Sequence, residues 1–324
     1  MSERIVILGG TGLLGQHAAL SLRERGVPAV LVGLGNASLL PALSGSDIVS
    51  VNLDSASHEE LISLMKGATG VIQAMGPDDR VTPLGSADAF FQKHLVGTSA
   101  KLATAARDAG VERYVICGSY FSAWSRMNPG ARMAERHAYV RARRDQADQA
   151  ISIGAGSMAV SVLEIPYVFG TVPGQVPMWR EWLFERLRKM PVVFYPDGGS
   201  SVVTAAQVGH AAAAASLVGD HGARYPLADL QLTWKELLAM VLPALGKSPR
   251  VITVPRLLAE PTAWRMGAEL AKEGREPGID PKRLMRDIMY QRVFVDPSRA
   301  VTELGFEGGG VPEAIVATVR ASYR

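Results

Sequence analysis

The chain begins with Ile5-Val6-Ile7-Leu8-Gly9-Gly10-Thr11-Gly12-Leu13-Leu14-Gly15, in which an apolar run leads directly into a glycine-rich segment. An amphipathic helical pattern follows and stops at Gly26, and a second apolar run comes at 29–32. Glycines spaced three apart allow a tight strand-to-helix turn and a close approach of the backbone to a pyrophosphate. The stretch therefore predicts a βαβ unit that binds a dinucleotide at a helix N-terminus, in preference to an ordinary glycine-rich turn.

The composition is typical of a globular protein and is compatible with a reducing compartment. With 324 residues, 48% of them hydrophobic, the chain can bury a large core. The net charge of +3 comes from dispersed side chains, which argues against nucleic acid as a partner. Cys117 is the single cysteine and the histidines are scattered, so neither a disulfide nor a metal site is expected. The absence of a signal-like start or a long apolar run predicts a cytoplasmic protein without membrane contact.

Alternation of apolar runs with helical patterns predicts an α/β fold with a doubly wound parallel sheet, known as a Rossmann fold. The predicted strands are at 5–8, 29–32, 48–51, 70–74, 114–117 and 158–163. Proline and glycine become frequent after residue 165, which predicts a smaller C-terminal substrate lobe. We expect the dinucleotide-binding domain to comprise 1–169, with 192–225 returning to it, and the substrate lobe to comprise 170–191 and 226–324.

Two segments carry groups suited to acid–base chemistry. Ser119 follows the predicted strand that contains Cys117, at the sheet edge where open α/β folds bind ligands. Tyr139 and Arg143 are four residues apart in a helical pattern, so that the phenol and the guanidinium share one face. A phenol beside a fixed cation can act as a proton donor.

Further motifs lie along the whole chain. They are Gly97-Thr98, Pro166-Tyr167-Val168-Phe169-Gly170, Thr233-Trp234-Lys235-Glu236-Leu237, and Asp296-Pro297-Ser298-Arg299-Ala300 followed by Glu303-Leu304-Gly305-Phe306. With the glycine turn, they make the chain similar to the extended short-chain dehydrogenases/reductases. It resembles most the branch with nucleotide-sugar epimerases, dihydroflavonol reductases and hydroxysteroid dehydrogenases.

The resemblance implies a nicotinamide cofactor and assigns residues to it. Ser119 and Tyr139 take the places of the catalytic Ser and Tyr, while Arg143 stands where the family has Lys. Arg143 keeps the charge and the donors of Lys, and we expect it to hold the ribose and acidify Tyr139; degenerate chemistry or a solvated arginine are the alternatives. The implied cofactor-binding residues are Gly9, Thr11, Gly12, Leu13, Leu14, Gly15, Asn36, Asn52, Leu53, Ala74, Met75, Gly76, Tyr139, Arg143, Pro166, Tyr167 and Val168.

The end of the second predicted strand bears on the phosphate state of the cofactor. An acidic residue there would bind the ribose diol of NAD, but this chain has Gly33-Leu34-Gly35-Asn36. Without a carboxylate there is no electrostatic penalty on the additional phosphate of NADP. The sequence therefore favours NADP, with NAD as the alternative. It makes Asn36 a candidate hydrogen-bond donor to the additional phosphate.

Aromatic residues mark the expected substrate side. Ser119 is followed by Tyr120, Phe121 and Trp124, and a helical stripe carries Trp179 and Trp182. Aromatic residues at helical spacing often belong to a core. If these residues line the pocket, they favour a large apolar or ring-bearing substrate over a hydrated sugar nucleotide.

These features predict an NAD(P)(H)-dependent oxidoreductase that interconverts a ketone and a secondary alcohol on a small molecule. An epimerase or dehydratase with transient nicotinamide reduction is the first alternative, and a non-catalytic NAD(P) sensor is the second. The family commonly dimerises through two long helices, here about 87–108 and 136–153. A homodimer therefore remains open, provided that carboxylates such as Asp88 or Asp145 pair with the arginines there.

Overall fold

The computed structural model describes residues 3–34 and 37–323. In chain order, the strands are β1 Ile5–Leu8, β2 Ala29–Gly33, β3 Ile48–Ser50, β4 Gly70–Gln73, β5 Arg113–Cys117, β6 Ala159–Glu164, β7 Tyr167–Phe169, β8 Val192–Tyr195, β9 Gly199–Thr204, β10 Arg224–Pro226, β11 Leu230–Thr233, β12 Arg250–Thr253 and β13 Arg292–Val293.

The helices fill the connections. They are α1 Leu13–Glu24, α2 His58–Met65, α3 Ala87–Phe91, α4 Thr98–Asp108, α5 Tyr120–Met127, α6 Met133–Arg136, α7 Ala138–Gly154, α8 Glu185–Lys189, α9 Ala205–Val218, α10 Trp234–Ala244, α11 Arg256–Lys272, α12 Pro281–Leu284, α13 Ser298–Leu304 and α14 Val311–Ala321. π-Helical turns occur at Gln92–Gly97, Arg180–Phe184 and Met285–Met289, and 3₁₀ turns at Pro41–Leu43 and Pro129–Ala131.

A seven-stranded parallel sheet organises the N-terminal part, in the order β10-β6-β5-β4-β1-β2-β3. Helices α1 and α9 pack on one face, while α2, α4 and α7 pack on the other. All six predicted strands are present, and the doubly wound α/β fold is confirmed. Strands of such a sheet are covered on both faces, so their sequences are nearly continuous apolar runs. This pattern allowed them to be recognised from the sequence.

A second sheet, with β9 at its centre, forms the basis of the C-terminal lobe. Strands β11 and β13 flank β9, β7 also pairs with it, and β8 pairs separately with β12. Two details of the expected division are therefore wrong: 167–169 belongs to the lobe sheet, and 192–204 does not return to the main sheet. The main-sheet strand ends before Pro166, which has no N–H to donate. The chain returns to the main domain at α9, and β10 then pairs with β6 at the edge of the main sheet.

The lobe contacts the main domain at the start of α7. The Tyr139 amide donates to the Gly278 carbonyl at 2.9 Å, and the Asp280 amide donates to His137 Nδ1 at 3.1 Å. His137 is fully buried beside Asp287, at 3.4 Å. The lobe thus directly contacts the turn that presents Tyr139. No helix in 3–34 or 37–323 is long and apolar enough to cross a membrane.

Candidate active site

The glycine turn between β1 and α1 has the close packing that the sequence predicts. Gly9 has φ +82°, and a Cβ there would lie 2.6 Å from the Ala74 carbonyl oxygen. A Cβ on Gly15 would overlap the carbonyl oxygen of Gly9. Gly12 precedes α1 without a capping side chain, and the first turn of α1 carries no acidic residue. This arrangement leaves the helix N-terminus available to an anion.

Side chains on both sides of the turn hold it in place. Gln16 Nε2 donates to the carbonyl oxygens of Thr11, at 2.9 Å, and Ser38, at 3.1 Å. Gln175 Nε2 donates to the same Thr11 oxygen at 2.9 Å. Because Gln175 follows β7, this contact joins the lobe to the turn.

One cavity, of about 320 Å³, lies between the turn and the lobe. Among the expected cofactor residues, its lining includes Leu13, Leu14, Ala74, Met75, Gly76, Tyr139, Arg143, Pro166, Tyr167 and Val168. Asn52 and Leu53 lie elsewhere: Asn52 Oδ1 accepts from the Asp54 amide, and Leu53 is buried in the core beneath the sheet. Asn36 lies outside the described residues.

Ser119 stands at the end of β5, where the chain enters α5, and is 6% exposed. Its Oγ accepts from the Phe121 amide at 3.3 Å, which caps the helix. The capping bond occupies a lone pair, so the hydroxyl hydrogen of Ser119 is free to donate into the cavity.

Arg143 is buried, with 7% exposure, and binds Tyr139 directly. Its Nε donates to the Tyr139 hydroxyl oxygen at 3.0 Å. The two Nη atoms donate to Gln146 Oε1 at 3.0 Å, Cys117 O at 3.5 Å and Pro77 O at 3.2 Å. The guanidinium is therefore held by the protein on several sides, and the alternative of a solvated arginine is wrong.

A buried polar network extends from Arg143 into the core. Gln146 Nε2 donates to Ser99 Oγ at 2.6 Å, and Ser99 exchanges hydrogen bonds with Gln73. The Tyr114 hydroxyl donates to Gln73 Oε1 at 2.8 Å. A satisfied network of this kind fixes the orientation of the guanidinium.

Burial raises the pKa of Tyr139, and the negative charges of Asp79 and Asp78 add to the increase. The charge and hydrogen bond of Arg143 lower this pKa, but by less than burial raises it. The expected acidification is therefore wrong for the free protein. The phenol remains protonated, which suits it to donate a proton.

Aromatic side chains from both the main domain and the lobe form one wall of the cavity, here called the aromatic wall. Tyr120, Phe121, Trp179 and Trp182 line it, together with Tyr167. Trp179 also belongs to the lobe core, since it stacks on Phe169 and donates to the Val168 carbonyl. Trp124, in contrast, is not in the cavity lining; it lies one helical turn further along α5 than Tyr120 and packs against the cluster around Phe121.

Three charged residues of the cavity lining were not recognised from the sequence: Asp78, Asp79 and Arg80. They follow β4 at the carboxyl edge of the sheet, where open α/β folds bind ligands. A run of charged residues directly after a predicted strand could therefore have identified them. The Arg80 side chain binds Asp78 through two hydrogen bonds, of 2.6 and 3.1 Å.

The other arginines near α7 pair with carboxylates. Arg132 binds Glu135, Arg136 contacts Asp287, Arg141 binds Asp88, and Arg144 binds Asp145. A homodimer is expected only if carboxylates such as Asp88 or Asp145 pair with these arginines. Arg141 and Arg144 meet that condition. Of these five arginines, Arg143 alone is in the cavity lining.

Comparison with known proteins bears on nucleotide binding and on the fold. Residues 9–153 match a family model described as NAD(P)H-binding. The chain has the fold of the extended short-chain dehydrogenases/reductases. No curated protein matches its sequence.

Solved structures establish the fold over nearly the full length. The crystal structure of gox2253 has a TM-score of 0.76 at 17% identity, covering 99% of this chain and 98% of that one. A nucleoside-diphosphate-sugar epimerase from Pseudomonas aeruginosa has a TM-score of 0.68 at 20% identity, covering 99% and 97%. MoeE5 in complex with UDP-glucuronic acid and NAD has a TM-score of 0.68 at 19% identity, covering 99% and 99%. The fold that the resemblance implied is thereby confirmed.

The residues present fit a nicotinamide dinucleotide. The uncapped N-terminus of α1 suits the pyrophosphate, and the close-packed glycines leave room for it. The cavity continues from Leu13 and Ala74 to Tyr139 and Ser119, so that one bound cofactor can extend from the turn to the acid–base pair.

Proposed function

We propose that the chain is an NAD(P)(H)-dependent oxidoreductase that interconverts a ketone and a secondary alcohol on a bulky, ring-bearing small molecule. The observation that carries this proposal is the buried pair of Tyr139 and Arg143, which shares one cavity with Ser119 and an aromatic wall. A bound nicotinamide supplies or accepts the hydride at the carbon of the substrate.

Tyr139 acts as the acid in the direction of reduction. Its oxygen accepts from Arg143 Nε, which leaves the phenolic hydrogen free to move to the carbonyl oxygen of the substrate. The phenolate that remains is stabilised by the adjacent guanidinium. Ser119 donates its free hydroxyl hydrogen to the same substrate oxygen and holds it in place.

NADP(H) is the proposed form of the cofactor. Strand β2 ends at Gly33, and the sequence continues Leu34-Gly35-Asn36, so it offers no carboxylate there that would repel an additional phosphate. The affinities for NADPH and NADH, measured by titration of the purified protein, test this choice. A clear preference for NADH would overturn it.

Tyr139→Phe removes the proton donor while keeping the ring. We expect kcat for reduction of ring-bearing ketones to fall at least about a hundredfold, because the general acid is lost. The dissociation constant for the nicotinamide should stay within about threefold of the wild-type value. The measurement is the loss of NAD(P)H absorbance under steady-state conditions.

Tyr195→Phe is the matched control, because Tyr195 lies in β8 and is not part of the cavity lining. It should leave kcat unchanged. Full turnover by Tyr139→Phe would show that the mechanism is wrong. Cofactor binding without turnover of any ketone or alcohol would favour the sensor.

An epimerase or dehydratase is the second candidate, because the chain shares its fold with enzymes solved with UDP-sugars. Such an enzyme restores its nicotinamide in each cycle. Cofactor that stays bound through purification, with conversion of UDP-sugars and no net consumption of NAD(P)H, would favour this candidate.

A further inference from the structure

Asp79 is a carboxylate in the cavity for which the proposed chemistry has no role. It lies in the segment after β4, next to Asp78, and both residues line the cavity with Tyr139. Asp78 is bound by Arg80 through two hydrogen bonds. The carboxylate of Asp78 is thus occupied by Arg80, whereas that of Asp79 is available to a ligand.

In the part of the chain that the structure describes, no side chain hydrogen-bonds to Asp79 or pairs with it. The cations in the cavity lining are already engaged: Arg80 binds Asp78, and Arg143 binds Tyr139, Gln146 and two backbone carbonyls. Among the described residues, Asp79 is therefore the carboxylate of the cavity lining that has no cation in direct contact with it.

Asp79 shares the cavity lining with the rings of Tyr120, Tyr139 and Tyr167. After burial itself, the charge of Asp79 contributes to the raised pKa values of Tyr120, Tyr139 and Tyr167. Asp79 thus lies in the same cavity as the acid–base residue and two rings of the aromatic wall.

The pKa of Asp79 agrees with the lack of a cation bound to its carboxylate. Burial, and then the charge of Asp78, raise the pKa of Asp79 to about 6, although Arg80 and Arg143 act in the opposite direction. A carboxylate with a cation of its own would have a lowered pKa, as that of Asp78 is. A cationic ligand would supply the direct partner that Asp79 lacks.

We propose that Asp79 determines substrate specificity by binding a protonated amine carried by the ring-bearing ketone or alcohol. The carboxylate and the surrounding aromatic faces are the two features that bind an ammonium group in proteins. This inference rests on the proposed function, since it places the ammonium on the same molecule as the carbonyl that Tyr139 protonates. The same charge opposes substrates with phosphate or carboxylate groups in this part of the cavity.

The test uses three acetophenones that differ only in the para substituent: aminomethyl, hydroxymethyl and carboxylate. For the wild-type protein at neutral pH, we expect kcat/KM to be at least about tenfold higher for the aminomethyl ketone than for the hydroxymethyl ketone, as for hydrogen bonds to charged groups. The carboxylate ketone should be the poorest substrate. Asp79→Asn should abolish the preference and retain turnover of the hydroxymethyl ketone.

Asp197→Asn is the matched control, because the Asp197 side chain is 65% exposed and lies outside the cavity lining. It should keep the wild-type preference. Equal kcat/KM for the three ketones in the wild type, or a preference that persists in Asp79→Asn, would overturn the inference.

A binding measurement separates this inference from the proposed function. Trp179 and Trp182 line the cavity, so their fluorescence can report binding of para-aminomethyl and para-hydroxymethyl acetophenone with NADP present. If no ketone turns over but the wild type binds the ammonium form more tightly and Asp79→Asn does not, the proposed function fails and the ammonium site stands. Equal binding of both ketones would overturn the site.

Discussion

Arg143 shows what a single residue contributes to this site. The helical spacing placed it beside Tyr139, and a hydrogen bond of 3.0 Å joins the two. The sequence could not show that its other donors bind Gln146, Cys117 O and Pro77 O. A lysine has a single ammonium group and could not make these contacts together. The substitution therefore fixes a cation beside the phenol.

Asp79 should cost stability when it is ionised. Its pKa is raised from 3.8 to about 6 by folding, so its contribution is most favourable below pH 4 and is lost as the pH rises through about 6. Asp79→Asn should therefore raise the free energy of unfolding above pH 7, by about 1–3 kcal/mol. The gain should decrease towards pH 4. Thermal unfolding over this pH range measures it, and a gain that is independent of pH would contradict the assignment.

At the scale of elements, the strand–turn–helix unit at the N-terminus was the most predictable part. Strand β1, the positive φ of Gly9 and the end of α1 before Gly26 all follow from local sequence. The seventh strand, β10, was missed because three residues of mixed character, Arg224–Pro226, give no periodic signal.

Gly15→Ala tests the close packing of this unit. Its methyl group would overlap the Gly9 carbonyl oxygen, so α1 must move away from the turn. We expect a loss of about 1–3 kcal/mol in stability and a weaker affinity for NADPH. Thermal unfolding and cofactor titration measure the two effects. Gly130→Ala is the control, because a Cβ there meets no atom within 4 Å; equal behaviour of the two variants would refute the packing argument.

At the scale of the whole molecule, the lobe determines how Tyr139 is presented. Gly278 accepts the Tyr139 amide hydrogen bond, and a Cβ on Gly278 would overlap the Phe91 ring and lie 2.8 Å from Tyr139 Cβ. The acid–base residue therefore depends on a segment about 140 residues away in the chain, which no local pattern reveals.

Gly278→Ala should displace Tyr139 while leaving the glycine turn intact. We expect kcat to fall between about tenfold and a hundredfold, because small misplacements of catalytic groups are costly. The dissociation constant for NADPH should be unchanged, as the turn lies at the other end of the cavity. Steady-state kinetics and cofactor titration separate the effects, and an unchanged kcat would show that the lobe does not position Tyr139.

The sequence by itself determined the doubly wound sheet, the glycine turn and the pairing of Tyr139 with Arg143, because each depends on residues close together in the chain. The tertiary structure decided which aromatic residues reach the cavity, excluding Trp124, and that Tyr139 is less acidic than an adjacent cation implies. It also brought Asp79 to the same cavity. These properties arise from burial and from contacts between distant segments, which periodicity and spacing do not encode.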